Sequence, residues 1–248
     1  MKKYMFVMLL CALWSFISQH AEEGAIIYQT KINMHKRLPA EREELKAMIP
    51  EFNVTKNILL FNPSESLYRT VPEEENPFDQ ASGGNRMVMR TMNSNETYQD
   101  RKESMITLVR EFMGKKYLTK RELNRIPWKL ENETKEIQGL LCKSASYTDE
   151  NQRAIKAWYT EEIRIPLGPE NFQGLPGLIL EVAINDDDMI ISADKIEWRA
   201  LKKNELKAPK GGQEISDEAY RAMLEEQMKN MGVQMQGQGS VRTFIRSF

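Results

Sequence analysis

Apolar and polar residues alternate along much of the chain. Within 25–35, Ile26, Tyr28, Thr30, Ile32 and Met34 fall on one side, while Gln29, Lys31, Asn33 and His35 fall on the other. That period of two is the signature of a half-buried strand. Further strand-like runs cover 54–61, 66–71, 86–91, 104–112, 116–119, 135–147, 153–165, 178–184 and 189–201. The breaks between them carry turn chemistry: Asn62-Pro63-Ser64, Met113-Gly114-Lys115, the polar 148–152 and Asn185-Asp186-Asp187-Asp188. The charged stretch 38–48 reads as a loop or short helix between Pro39 and Pro50, and 73–84 as a polar loop. Strands that follow at hairpin spacing, with no long helix between them, predict an antiparallel sheet.

The C-terminal part changes character. Pro209-Lys210-Gly211-Gly212 interrupts the strand pattern. Ser216 is placed as an N-cap, with Asp217 and Glu218 in the first turn, where acidic groups suit the helix dipole. Tyr220, Met223, Leu224, Met228 and Met231 then recur at helical spacing, and a Gln/Gly-rich stretch follows. The methionine-rich face is expected to dock on the domain.

The first residues have the layout of a secretory signal peptide. Lys2 and Lys3 precede an apolar run over 4–17, and Ser18–Ala21 is more polar. Cleavage is expected after Ala21, which places the chain in the periplasm or cell envelope. Lipid anchoring at Cys11 is not expected, because Leu10 stands where a small residue is needed. Removing the first 21 of 248 residues leaves 227, with 22–208 as the sheet domain and 209–248 as helix and low-complexity tail.

Composition narrows the chemistry. The chain has 35 basic and 36 acidic residues, so no broad positive field favours nucleic acid. After removal of the leader, His35 and Cys142 are the only histidine and cysteine. A zinc site built on His and Cys lacks ligands, no internal disulfide can form, and a nucleophile–histidine arrangement would have to use His35. His35 lies on the polar side of its strand. Cys142 lies in a strand-like run and reads as a buried, inert thiol. No catalytic residue, metal or cofactor is assigned.

The richest local pattern is Gly174-Leu175-Pro176-Gly177-Leu178-Ile179, preceded by Trp158-Tyr159 and by Gly168-Pro169. Pro176 fixes φ and Gly177 can take a positive φ, which suggests a type II turn feeding a buried strand. None of these residues is an acid, base or nucleophile, so the motif reads as a structural corner. Alternation places Trp158 with Lys156, Thr160, Glu162 and Arg164, opposite Ile155, Ala157 and Tyr159. Trp158, Tyr159 and Phe172 are the candidate binding face beside the corner.

Residues 133–143, 157–163, Gly168-Pro169 and 174–179 resemble the GLPGLI family, also called Porph_ging, of exported proteins from Bacteroidetes-type bacteria. The resemblance implies a cell-envelope protein of uncharacterised function and supplies no catalytic residues. By analogy of pattern, the sheet is expected to be single, strongly curved and open, a half-barrel like that of the periplasmic lipoprotein carriers, with a short C-terminal helix.

Three functions follow. The favoured one is a binding or assembly module for a lipid, lipoprotein or outer-membrane partner. The second is a carboxylate-dependent hydrolase drawing on Glu161, Glu162, Glu181 and Asp186–Asp188. The third is a scaffold that uses edge strands or the helix.

Overall fold

The computed structural model describes residues 23–38, 40–71 and 95–230. The signal segment, the loop over 73–84, the run over 86–91, Met231 and the Gln/Gly-rich tail lie outside them.

The described residues form twelve strands: β1 (Gly24–Asn33), β2 (Phe52–Phe61), β3 (Glu65–Thr70), β4 (Glu96–Asp100), β5 (Met105–Phe112), β6 (Lys115–Glu122), β7 (Lys129–Ile137), β8 (Leu140–Thr148), β9 (Ala154–Thr160), β10 (Leu178–Ile184), β11 (Met189–Trp198) and β12 (Gln213–Glu214). One 3-10 helix (Ala40–Ala47) lies between β1 and β2, and helix α1 (Asp217–Asn230) follows β12. All twelve strands join one sheet in the order β12-β6-β5-β4-β3-β2-β1-β11-β10-β9-β8-β7. Its two ends, β12 and β7, do not meet, so the sheet is open. Every pairing is antiparallel except the short β12–β6 contact, which is parallel.

The hairpins form where turn residues permit them. Asn62 Oδ1 accepts the backbone N–H groups of Ser64 and Glu65 at 2.8 and 2.7 Å, closing the β2–β3 turn. Met113 and Gly114, with φ of 50 and 74°, make the β5–β6 turn. Gln138 and Gly139 have φ of 52 and 74° and do the same between β7 and β8. The run 135–147, read above as one strand, is therefore a hairpin. The run 153–165 is also shorter than expected: β9 stops at Thr160, and 161–165 leaves the sheet.

The sheet curls around the segment between β9 and β10. Gln99 on β4 donates to the carbonyl of Glu170 at 3.4 Å, and Trp128, just before β7, donates to the carbonyl of Gln173 at 2.8 Å. On a flat sheet the eight strand spacings from β4 to β7 would span roughly 38 Å. Three residues of extended chain reach only about 10 Å. Strong curvature brings the two ends to one connection.

The inner face carries the main core. Ile26, Tyr28, Leu59, Ile155, Val182 and Ile191 pack beneath Leu167, Phe172 and Leu175 of that connection. Near β6 the same face is covered by α1, where Tyr220 and Leu224 meet Tyr117. The outer face has a smaller core of Ala25, Leu60, Leu67 and Tyr98, capped by Leu201 and Leu206. Arg199 holds the connection over it through both Glu205 oxygens at 2.8 and 2.6 Å. That contact and the Lys202 amide bring the Glu205 carboxyl down to about 2.

Helix α1 begins as its sequence indicates. Ser216 Oγ accepts the Ala219 amide at 3.1 Å, and Asp217 binds Arg121 at 3.2 Å. Ser216→Ala is expected to cost about 1 kcal/mol of helix stability. Amide exchange should rise in α1 before it rises in the sheet. Uniform loss of protection in both would contradict the docked-helix arrangement.

Candidate functional site

The corner segment is built by close backbone packing. Leu178 N donates to Ile163 O at 2.9 Å and Ile179 N to Leu167 O at 2.8 Å. Tyr28 Oη, on β1, donates to Ile179 O at 2.6 Å. Leu175, Leu178 and Ile179 are buried in the core. Pro176 is exposed.

The positive φ expected of Gly177 is found at Gly174 instead. Gly174 has φ of 87°, and Gly177 is absent from the positive-φ positions. Gly177 is required for space instead: a Cβ there would lie 1.9 Å from Thr160 O. The type II turn expected at Pro176-Gly177 is thus replaced by a close crossing of two backbones.

The three aromatic candidates do not form one face. Trp158 lies on the outer face, half-buried, opposite Ser144 and Glu181. Lys135 and Lys156 sit over its ring at 4.4 and 5.2 Å, a cross-strand packing of charged stems. Tyr159 and Phe172 point into the inner core, 2% and 4% exposed. Phe172 instead joins Trp128, whose ring lies 6.4 Å away, and Trp128 meets Tyr147 at 4.7 Å.

Most of the remaining candidates are engaged separately. Glu161 pairs with Lys143 at 2.8 Å, Glu162 accepts the Leu141 amide at 3.2 Å, Glu181 pairs with Lys135, and Asp188 lies 3.8 Å from Lys36. His35 bonds through Nε2 to Ile49 O at 2.8 Å. Cys142 is a free, buried thiol, pushed up to about 11 by desolvation. Among the described residues, no group of three His, Cys, Asp or Glu side chains could hold a metal ion.

Sequence reading missed a polar patch on the inner face. Gln99 (β4), Arg110 (β5) and Thr119 (β6) all point inward, between the corner segment and α1. Their register partners Ser66, Tyr117 and Leu108 fix that orientation. Gln99 and Thr119 are 2% and 1% exposed, and among the described residues Gln99 Oε1 and Thr119 Oγ1 lack hydrogen-bond partners. Glu170 reaches the patch from the corner. Its backbone is left-handed, with φ of 53°, a strained choice for a residue with a Cβ. Burial raises its carboxyl above the usual range, against the pull of Arg153 and Arg110. Arg153 is already bound to Asp149 at 2.8 Å. Tyr68 and Tyr147 also feel the Glu170 charge. In sequence Glu170 sits between Pro169 and Asn171 and has the look of a solvated loop residue.

A buried acid with a raised pKa leaves a signature in stability. Between its unfolded and folded pKa values the native state holds a proton that the unfolded chain has released. Stability is therefore full below the unfolded value near 4.5 and declines as pH rises through the folded value. Glu170→Gln is expected to raise the urea midpoint at neutral pH and to leave it unchanged near pH 4. A lower midpoint for the variant at neutral pH would mean that the carboxylate stabilises the fold.

The comparisons fit this architecture. Two crystal forms of PNGF-II, in space groups P21 and C2, share the fold with a TM-score of 0.55 in each case, at 16% and 17% identity. The match covers 83% of this chain but only 34% and 33% of theirs, so this chain spans about a third of their length. No curated protein matches the sequence. Over residues 148–181, the stretch from the β8–β9 turn into β10, the chain matches the family described as Protein of unknown function (Porph_ging).

Proposed function

We propose that this chain is an exported ligand-binding module of the cell envelope, with its site on the inner face of the curved sheet. The observation that carries this reading is the polar patch of Gln99, Arg110 and Glu170, set between two covering elements where a core would otherwise be apolar. Buried polar groups are costly when unsatisfied, and such groups in a concave site are favoured candidates for binding. Leu167, Phe172 and Leu175 lie over the adjoining part of the inner face, where an acyl chain would run. That filling favours a polar ligand over a lipid.

The hydrolase reading has less support. Glu161, Glu162 and Glu181 are tied separately to Lys143, the Leu141 amide and Lys135. The scaffold reading would use the free side of β7, where Leu130 and the neighbouring Leu141 are each 58% exposed. However, β7 carries a bulge between Leu130 and Thr134 and a run of charged residues, features that oppose strand addition.

Native mass spectrometry on protein released from the envelope fraction tests the proposal. A retained small polar molecule, lost on denaturation, is the expected result. Recovery from the cytosolic fraction, or an apo mass under every gentle condition together with a stable protein cross-link at β7, would replace it with the scaffold reading.

A further inference from the structure

Strand β12 and helix α1 lie over the β5–β6 end of the inner face, and few contacts hold them there. β12 adds to β6 through two residue pairs, Gln213 with Tyr117 and Glu214 with Leu118, extended by Ile215 N donating to Leu118 O at 3.0 Å. Two ion pairs flank it: Lys120–Glu214 at 3.1 Å, which is exposed, and Arg121–Asp217 at 3.2 Å. An exposed pair contributes little. The apolar seam consists of Tyr117, Tyr220 and Leu224, with Phe112, Ile215 and Met223 at its margin. Among the side chains of α1 that the structure describes, Tyr220 and Leu224 alone are buried.

The seam is also incompletely bonded. Thr119 shares the inward side of β6 with Tyr117 and Arg121, and those two neighbours meet Tyr220 and Asp217 of α1. Thr119 therefore lies beneath the helix. At this seam Thr119 Oγ1, Tyr220 Oη and Asp217 Oδ1 are buried without hydrogen-bond partners among the described residues. Each of these atoms has given up water without a replacement, so each lowers the cost of lifting the helix. The chain leading into β12 permits that movement. Upstream, Leu201 and Leu206 are anchored on the outer core and Arg199 holds Glu205. Beyond those anchors, Gly211 and Gly212 have φ of 96 and 108°, and two successive residues without a Cβ change direction at little steric cost.

Resting on the reading of the inner face as a binding site, we infer that β12 and α1 form a strap that lifts from β6 as one unit while the sheet stays folded, and that this opening uncovers the site. The Arg110 guanidinium, half-buried on β5, lies 5.4 Å from the centre of the Tyr220 ring. Lifting α1 removes that ring and clears the β5–β6 part of the face to solvent. Its return closes the face over a ligand.

Hydrogen exchange of the whole chain, read by mass spectrometry, tests the strap in the unsubstituted protein, in Thr119→Val and in Tyr220→Phe. In the unsubstituted protein the amides of 213–230 should exchange in one concerted opening, well ahead of β1 and β11. Each substitution deletes an unpartnered oxygen and keeps the packing, so each should slow that opening on the order of tenfold. Deleting a group that is hydrogen-bonded would do the reverse. Unaltered protection of β1 and β11 checks that both variants keep the sheet. Exchange of α1 at the global rate of the sheet, graded fraying from its C-terminal end, or unchanged or faster exchange in both variants overturns the strap. A molecule retained by the native protein should also leave more slowly from the two variants. Unchanged release from chains whose helix exchange has slowed would show that the ligand does not pass α1, and would overturn the gating. If no molecule is retained, the binding reading falls, and the exchange result still decides the strap.

Discussion

Gly177→Ala is expected to be among the most destabilising single-methyl changes in the molecule. The new Cβ would lie 1.9 Å from Thr160 O and 2.7 Å from Thr160 C. Both are backbone atoms at the end of β9, and Thr160 is paired with Leu178, the residue next to the glycine. No side chain can rotate away, so β9 and β10 must separate. The expected cost is about 3 kcal/mol or more, a large part of the roughly 5–15 kcal/mol that holds a typical domain. Gly174→Ala is the matched control. Nothing lies within 4 Å of its Cβ, but φ is 87°, so only conformational strain of about 1 kcal/mol applies. Urea midpoints of the two variants decide the matter. Equal shifts would show that the corner is a flexible turn, not a backbone crossing.

Phe172→Ala should cost about 3–5 kcal/mol, the range for emptying a buried aromatic site. Phe172 is 4% exposed, belongs to the main core and meets Trp128, which in turn bonds to Gln173 O. Its loss should loosen the corner segment from the β7 side and shift Trp128 emission to the red. Trp158→Ala removes a larger side chain, yet should cost only about 1 kcal/mol. That ring is half-buried on the outer face, packed at the edge of the core with Lys135 and Lys156 over it. A greater loss at Trp158 than at Phe172 would place the critical aromatic packing on the wrong side of the sheet.

The contrast between these two aromatics shows how far the sequence can be read. Alternation correctly separated Trp158 from Tyr159, because successive residues of a strand point to opposite faces regardless of context. It could not place Phe172, which lies in a connection with no period. The hairpins at 62–64, 113–115 and 185–188 were legible because their residues tolerate the required dihedrals. Gln138-Gly139 carried the same chemistry, yet apolar residues on both sides made it resemble an interruption within one strand. β4 went unread because Glu96–Asp100 contains a single apolar side chain, Tyr98. The extension of β9 to 165 failed for a different reason: Ile163 and Ile165 keep the strand period, but their chain leaves the sheet to cover its inner face.

Gly177 and Glu170 mark the boundary most clearly. The sequence by itself determined the mainly antiparallel sheet, most turns, the capped C-terminal helix and the family resemblance over the motifs between 133 and 179. These rest on local sterics, alternation and capping, which act over a few residues. Only the tertiary structure decided that Gly177 is needed for a backbone crossing, that the open sheet curls over its own β9–β10 connection, and that Gln99 of β4 meets Glu170 on the inner face. Close approach, desolvation and charge pairing depend on what distant segments bring to the same place. A residue written in loop-like sequence can therefore carry an acid that burial pushes above its usual range.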